Sequence, residues 1–118
     1  MDELANKTIP GELVIAEAVI AELAGYAALE SYGVVGMAAP SVQDGFAKLL
    51  PMRRLERGIV LRFEEAGVAV ELHVLIKSGT NLAAVAQNLA QSVRYTLEHY
   101  AQIKVSDVLI HVEGIMKE

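Results

Sequence analysis

The stretch IVLRFEEAGVAVELHVLIK, residues 59–77, has the strongest strand pattern in this chain. Apolar side chains alternate with other side chains over residues 59–64, and the alternation resumes over residues 68–77. A period of two residues is typical of a strand with one buried face. Ala66-Gly67 interrupts the pattern and favours a tight turn. The stretch therefore predicts a β-hairpin.

Helical patterns flank the hairpin on both sides. Upstream, apolar residues recur at spacings near three and four over residues 17–32, and Gly33 follows as a helix-ending residue. Downstream, Thr80 or Asn81 is a candidate N-cap. The second helix has an apolar stripe at spacings of three and four, formed by Leu82, Val85, Leu89, Val93, Leu97 and Tyr100.

Three further stretches predict strands at residues 12–16, 34–38 and 107–113, and Gly114 ends the last of them. The predicted order is β-α-β-β-β-α-β, with residues 39–57 as an irregular insertion loop between elements. Each helix has one apolar stripe and each strand one mostly apolar face. These elements predict an α+β two-layer sandwich, a mixed sheet with two amphipathic helices on one face. The last strand, helix and strand form a βαβ unit, for which a right-handed crossover is expected.

Composition fits a single folded domain over residues 1–118. Hydrophobic residues make up 53% of the chain and charged residues 21%, unlike a disordered chain. The absence of cysteine excludes disulfides, thiolate metal ligands and cysteine nucleophiles. A formal net charge of −5 argues against a DNA partner, and 5% aromatic residues disfavour stacking sites. No apolar run has the length of a signal or a membrane span, so we expect a cytoplasmic protein without direct membrane insertion.

Basic residues concentrate inside the insertion loop. Four basic residues and one acid between positions 48 and 57 give a local charge of +3, in a chain of net charge −5. We call the four residues the basic cluster: Lys48, Arg53, Arg54 and Arg57. Next to apolar neighbours, the cluster predicts a docking element for an acidic protein, an anionic lipid surface or RNA. A solvated loop whose arginines pair with acids of the same protein is the alternative interpretation.

Two histidines and two glutamates share the outward parity of their strands. Glu71 and His73 lie on one strand, and His111 and Glu113 lie on another. Pairing of the two strands would gather two imidazoles and two carboxylates, which could bind Zn²⁺. A solvated sheet face is the simpler interpretation, because parity fixes neither strand adjacency nor register. We therefore expect no metal and no cofactor, and keep these four residues as the alternative metal site.

Outward strand positions also include apolar residues. Val60, Leu75, Leu109 and Ile115 add apolar area to a face that the two helices cannot also cover. Such a patch usually marks an interface. We expect a homo-oligomer.

Four blocks, taken in order, are similar to blocks of a known family. GELVIAEAVIAELAGYAALESYGVVGMA at 11–38 comes first, then the loop at 43–59, which contains QDGFAKLL and RRLERGI. SGTNLAAVAQNLAQSVRYTLE at 78–98 and VLIHVEGI at 108–115 close the chain. Their order and spacing resemble the alkaline-shock family of bacterial envelope-stress-response proteins, in particular its short YloU-like branch. Gln102 stands where the family pattern has a glycine.

The resemblance implies a cytoplasmic protein of Gram-positive-type bacteria, linked to cell-envelope homeostasis and without known catalysis. In some members a separate anchoring protein holds the chain at the membrane. The family has no established catalytic residues to transfer, and the chain lacks the Gly-x-Ser-x-Gly, phosphate-loop and Gly-x-Gly-x-x-Gly motifs. We expect a non-catalytic protein that acts through self-association and protein partners in envelope stress or envelope-lipid homeostasis. A small RNA-binding module and an accessory regulator of a separate lipid or small-substrate kinase are the alternatives.

Overall fold

The computed structural model describes residues 15–39, 50 and 56–117. Its elements are α1 (Glu17–Leu29), β1 (Val34–Met37), β2 (Ile59–Glu64), β3 (Gly67–Lys77), α2 (Leu82–Tyr100) and β4 (Val105–Met116). From the first helix onward this is the predicted order. The strand predicted at 12–16 falls mainly outside the described residues, and its described part, Ile15 and Ala16, lies in no strand.

The sheet is built around β3. β2 pairs antiparallel with residues 67–72 of β3, and β1 pairs antiparallel with residues 74–76 along the same edge. β4 runs parallel to β3 along the opposite edge. The result is a mixed sheet of four strands, which confirms the predicted α+β class.

Strands β1 and β2 meet end to end beside the middle of β3. The backbone N–H of Ala38 donates to the carbonyl oxygen of His73 at 2.9 Å, just beyond the end of β1. A Cβ added to Gly58 would lie 2.9 Å from the carbonyl oxygen of Ala38. The chain therefore leaves the sheet after β1 and returns to it at β2 at nearly the same place.

Both helices contribute to one core on a single face of the sheet. Alternate residues of β3 face this core, and they are Val68, Val70, Leu72, Val74 and Ile76. α1 packs beside β1 and β2, and α2 packs beside β4. Small buried residues of α1, including Ala24, Gly25 and Ala28, allow it to approach α2 closely. In α2 the middle of the predicted stripe is buried, whereas Leu82 and Tyr100 at its ends are exposed.

The helix ends are set by local chemistry. Asn81 is the N-cap of α2, because its side-chain oxygen accepts from the N–H of Ala84 at 3.0 Å. α1 ends at Leu29, three residues before the predicted end, and the chain then turns through Gly33 at φ +87°. A Cβ on Gly33 would lie 2.6 Å from Cγ2 of Val85. Glycine is therefore favoured here for two reasons: the backbone is left-handed, and a Cβ would be too close to α2.

Two irregularities interrupt the pairing of β3 with β4, one near Val68 and one near Val74. β4 continues through the second of them to Met116, beyond the Gly114 that the sequence pattern takes as the end of the strand. Gln102, just before β4, has φ +54°. It therefore takes a left-handed conformation at the position where the resembling family has glycine. In the described part of the chain, no helix has both the length and the apolar character needed to cross a membrane.

Candidate functional site

The face of the sheet opposite the helices holds most of the residues singled out from the sequence. Register places Val60 of β2 and Leu109 of β4 on either side of Glu71. It also pairs His73 directly with His111. Paired residues of neighbouring strands share a face, so these side chains form adjacent rows on one surface. We call this surface the open face.

Four side chains of the open face contact one another in a chain, and we call Glu71, His73, His111 and Glu113 the histidine cluster. Nδ1 of His73 lies 2.5 Å from Oε2 of Glu113, and Nε2 of His111 lies 3.1 Å from Oε1 of Glu71. The two imidazole rings stack with centroids 4.4 Å apart and planes 4° apart. Each imidazole thus contacts one carboxylate, and the stacking of the two rings connects the two histidine–glutamate pairs.

Burial and charge differ along the histidine cluster. The side chain of His73 is 9% exposed and that of Glu71 is 18% exposed, whereas that of His111 is 38% exposed. The guanidinium of Arg62 forms an ion pair with Oε2 of Glu71, the oxygen that does not contact His111. Arg62, on β2, therefore holds the carboxylate of Glu71 in an orientation in which Oε1 faces the imidazole of His111.

The donor set is that of a transition-metal site. Ligand atoms of Glu71, His73 and His111 all lie within 4.8 Å of one another. Two imidazoles and one carboxylate are a common ligand set for Zn²⁺ and for other first-row divalent ions. The structure thus supplies the strand adjacency and the register that the sequence pattern leaves open.

The four apolar positions predicted for an oligomer lie in different environments. Val60 and Leu109 are on the open face, and Leu109 is 46% exposed. Leu75 lies on the same face, between the core residues Val74 and Ile76, but it is only 3% exposed. Ile115 pairs with the core residue Ile76, so the irregularity in β4 places it toward the helix side, where it is half exposed. The exposed apolar surface therefore follows β4 rather than one face of the sheet.

Only one member of the basic cluster can be placed. Arg57 is exposed, within a short 3₁₀ turn at residues 56–58 that leads into β2. Lys48, Arg53 and Arg54 lie outside the described residues, as does most of the predicted insertion loop. Leu50, which is described, packs against the core, and its N–H donates to the carbonyl oxygen of Met37 at 2.8 Å.

An aromatic surface on the helical layer was not anticipated from the sequence. All four tyrosines of the chain are exposed: Tyr26, Tyr32, Tyr95 and Tyr100. Tyr95 stacks on His99 with ring centroids 4.9 Å apart, and a shallow groove lies between Tyr32 and Tyr95. Tyr100 belongs to the apolar stripe of α2, so periodicity alone predicts it to be buried.

The model of the alkaline shock protein 23 family, described as having a cell envelope-related function, matches residues 5–117. The chain belongs to this family. It is 33% identical over 110 residues to the uncharacterized protein YloU of Bacillus subtilis (strain 168), with 92% of each chain covered. It is 29% identical over 109 residues to the uncharacterized protein Spy1614 of Streptococcus pyogenes serotype M6, covering 92% of this chain and 90% of that one.

Membership in the alkaline shock protein 23 family confirms the resemblance drawn from the sequence blocks. A second protein of Bacillus subtilis, the uncharacterized YqhY, is 27% identical over 108 residues and is covered over 77% of its length. No solved structure matches the chain. The family relationship therefore indicates a cell envelope-related function, without a described mechanism.

Proposed function

We propose that this protein serves the envelope-related function of its family in the cytoplasm, as a non-catalytic protein that associates with itself and with protein partners. The observation that supports self-association is the exposure of β4 at the edge of the sheet. This strand has 12 residues, and only Val105 among them is buried. Among the described residues, β3 is the one strand that pairs with β4. In the part of the chain that the structure describes, no strand therefore lies along the outer edge of β4. Side chains satisfy both backbone groups of Val105 and the N–H of Val108 at its start.

Exposed apolar side chains lie on both faces of this edge. Leu109 and Met116 pair with residues of the open face, whereas Val112 and Ile115 pair with residues of the core face. All four are at least 36% exposed. A partner stacked on one face would cover only half of them. A strand added at the edge brings side chains to both faces and also satisfies the backbone groups.

A second copy of this chain is the occupant that we propose for the edge. Each copy offers the same unpaired strand, so antiparallel pairing of two β4 strands about a two-fold axis satisfies both edges at once. Protein partners would then bind the remaining surfaces of the assembly.

The histidine cluster does not have the arrangement of a serine- or cysteine-type catalytic site. The chain has no cysteine, and both His73 and His111 contact a carboxylate. Nucleophilic catalysis by a serine, threonine or cysteine requires instead a hydroxyl or thiol within reach of the base. Among the described residues, the hydrogen bonds of the two imidazoles are to carboxylates, and neither involves a hydroxyl or a thiol.

Light scattering after size exclusion tests the self-association. We expect the wild-type protein to be a dimer or a larger oligomer at concentrations of about 10–100 μM, and Leu109→Lys to be a monomer, because a buried lysine at the edge is costly. Leu82→Lys is the matched control, since Leu82 on α2 is 45% exposed and Leu109 is 46% exposed. The control should keep the wild-type mass. A monomeric wild type up to about 100 μM would disprove the proposal.

A further inference from the structure

We propose that Glu71, His73 and His111 bind one divalent transition-metal ion of the Zn²⁺ class, and that Glu113 orients His73 for this role. The site needs only the register between β3 and β4, so it does not depend on self-association of the chain.

The separation of two donor atoms already suits a coordinated ion. Around Zn²⁺ with ligand distances of about 2.0–2.1 Å, adjacent ligand atoms of a tetrahedron lie about 3.3 Å apart. Nε2 of His111 and Oε1 of Glu71 lie 3.1 Å apart. An ion can therefore replace the proton that these two atoms share, and the displaced proton goes to solvent.

Glu113 supplies the support that histidine ligands of metals usually have. A metal-binding imidazole typically donates its other ring N–H to a carboxylate, which fixes the tautomer and the ring orientation. Nδ1 of His73 lies 2.5 Å from Oε2 of Glu113. With the proton on Nδ1, the lone pair of His73 is on Nε2, and this is the atom that we assign as the ligand.

The third ligand, His111, has the freedom that the site requires. The two rings are stacked and nearly parallel, so their lone pairs do not yet converge on one point. The side chain of His111 is 38% exposed whereas that of His73 is 9% exposed. Rotation of the His111 ring toward Glu71 and Nε2 of His73 therefore closes the site without moving the buried histidine.

Charge also favours a cation at this position. Glu71 and Glu113 contribute two negative charges, and Arg62 offsets one of them through Oε2 of Glu71, while Oε1 faces His111. Imidazoles bind metals in their neutral form, so a divalent ion meets a net negative charge at this site. Because His111 is partly exposed, a coordination position remains open to water or to a further ligand, unlike a closed structural zinc site.

Calorimetric titration of the full chain, without a histidine tag and stripped of metal, with Zn²⁺ tests this inference. We expect one ion per chain, with binding lost in His111→Ala and in His73→Ala. Glu113→Gln should weaken binding by about 10–100-fold, as expected for a residue that orients a ligand. His99→Ala is the matched control, because His99 is an exposed histidine on α2 that stacks on Tyr95, and it should bind like wild type.

Titration with Co²⁺ provides a second measurement, since its visible absorption distinguishes tetrahedral coordination by protein ligands from the hexaaquo ion. Thermal melts of every variant exclude loss of fold as the cause of lost binding, and His111→Ala keeps the test valid if the buried His73→Ala does not fold. No Zn²⁺ binding by the wild type, or binding that His111→Ala retains, would overturn the site. Light scattering with and without Zn²⁺ measures self-association separately. Failure of the metal site can therefore be distinguished from failure of the proposed self-association.

Discussion

Arg94 on α2 donates a hydrogen bond from Nη1 to the carbonyl oxygen of Val105, the first residue of β4, at 2.7 Å. One turn later on the same helix, Oε2 of Glu98 accepts from the N–H of Val105 at 3.1 Å. An ion pair of the helix, with 3.9 Å between Nη1 and Oε2, thus satisfies both backbone groups of that residue. The start of the exposed strand is held by the helix that precedes it.

We expect Arg94→Met to lower the free energy of unfolding by about 1 kcal/mol, because a partly buried carbonyl loses a charged donor. Denaturant unfolding measures this change. Glu98→Gln is the control, since an amide oxygen still accepts from the N–H of Val105, and its effect should be smaller. Equal losses of unfolding free energy in both variants would mean that the ion pair, rather than the hydrogen bonds to the backbone of Val105, stabilises the fold.

Gly33→Ala should destabilise the protein more than Gly79→Ala. Both glycines have positive φ, +87° and +91°, so both substitutions meet a backbone cost of about 1–2 kcal/mol. A Cβ at Gly33 would lie 2.6 Å from Val85, whereas nothing lies within 4 Å of a Cβ at Gly79. The additional cost at Gly33 is that of overpacking, about 1–3 kcal/mol. Urea unfolding of the two variants isolates this contact, and equal midpoints would argue against it.

Gln102→Gly should stabilise the protein by about 0.5–1 kcal/mol. Glycine relieves the left-handed strain at φ +54°, and part of this gain is offset by the greater freedom of glycine in the unfolded chain. Gln102→Val should have the opposite effect, because a β-branched residue disfavours positive φ. Thermal melts of both variants provide the measurement. A stabilising valine would contradict the assignment of strain to this position.

Replacing Arg53, Arg54 and Arg57 with alanine should abolish binding to anionic surfaces if the basic cluster is a docking element. The fold should survive, since exposed charge substitutions seldom change stability by more than about 0.5 kcal/mol. The assays are co-sedimentation with phosphatidylglycerol vesicles and binding of single-stranded RNA. Both should weaken as salt rises from about 0.01 M to 0.15 M, because the screening length falls from about 30 Å to 8 Å.

The double variant Lys104→Ala/Lys117→Ala, which removes exposed bases outside the cluster, is the control for the triple arginine variant. It should retain whatever binding the wild type has. Equal binding of the wild type and the triple variant to the vesicles and the RNA would favour the interpretation of the cluster as a solvated loop rather than a docking element. A large drop in the melting temperature of the triple variant would instead indicate arginines that pair within the fold.

The hairpin and both helices could be predicted from the sequence because their signals are local. Alternation over residues 59–77 and the stripe of α2 depend only on neighbouring residues, and Asn81 was one of two N-cap candidates. The family relationship was likewise evident from the order of the sequence blocks, and the model of the family confirms it.

The arrangement of the histidine cluster could not be predicted in the same way. Parity placed His73 and His111 on outward faces, but the choice of neighbouring strand and the register between β3 and β4 depend on how the whole sheet packs. The irregularity near Val74 is a further example, because it moves Ile115 to the other side of the strand without a signal that alternation could reveal. Burial of Leu75 likewise depends on neighbours distant in sequence.

The close approach of Gly58 to Ala38 has a consequence for protein engineering. Because the chain leaves the sheet and rejoins it at almost one point, the fold already holds together the two ends of the connection between β1 and β2. Each doubling in the length of a flexible connection between fixed ends costs only about 0.6 kcal/mol of closure entropy. A fluorescent reporter or an epitope could therefore be inserted into this connection while the strand order and the histidine cluster stay intact.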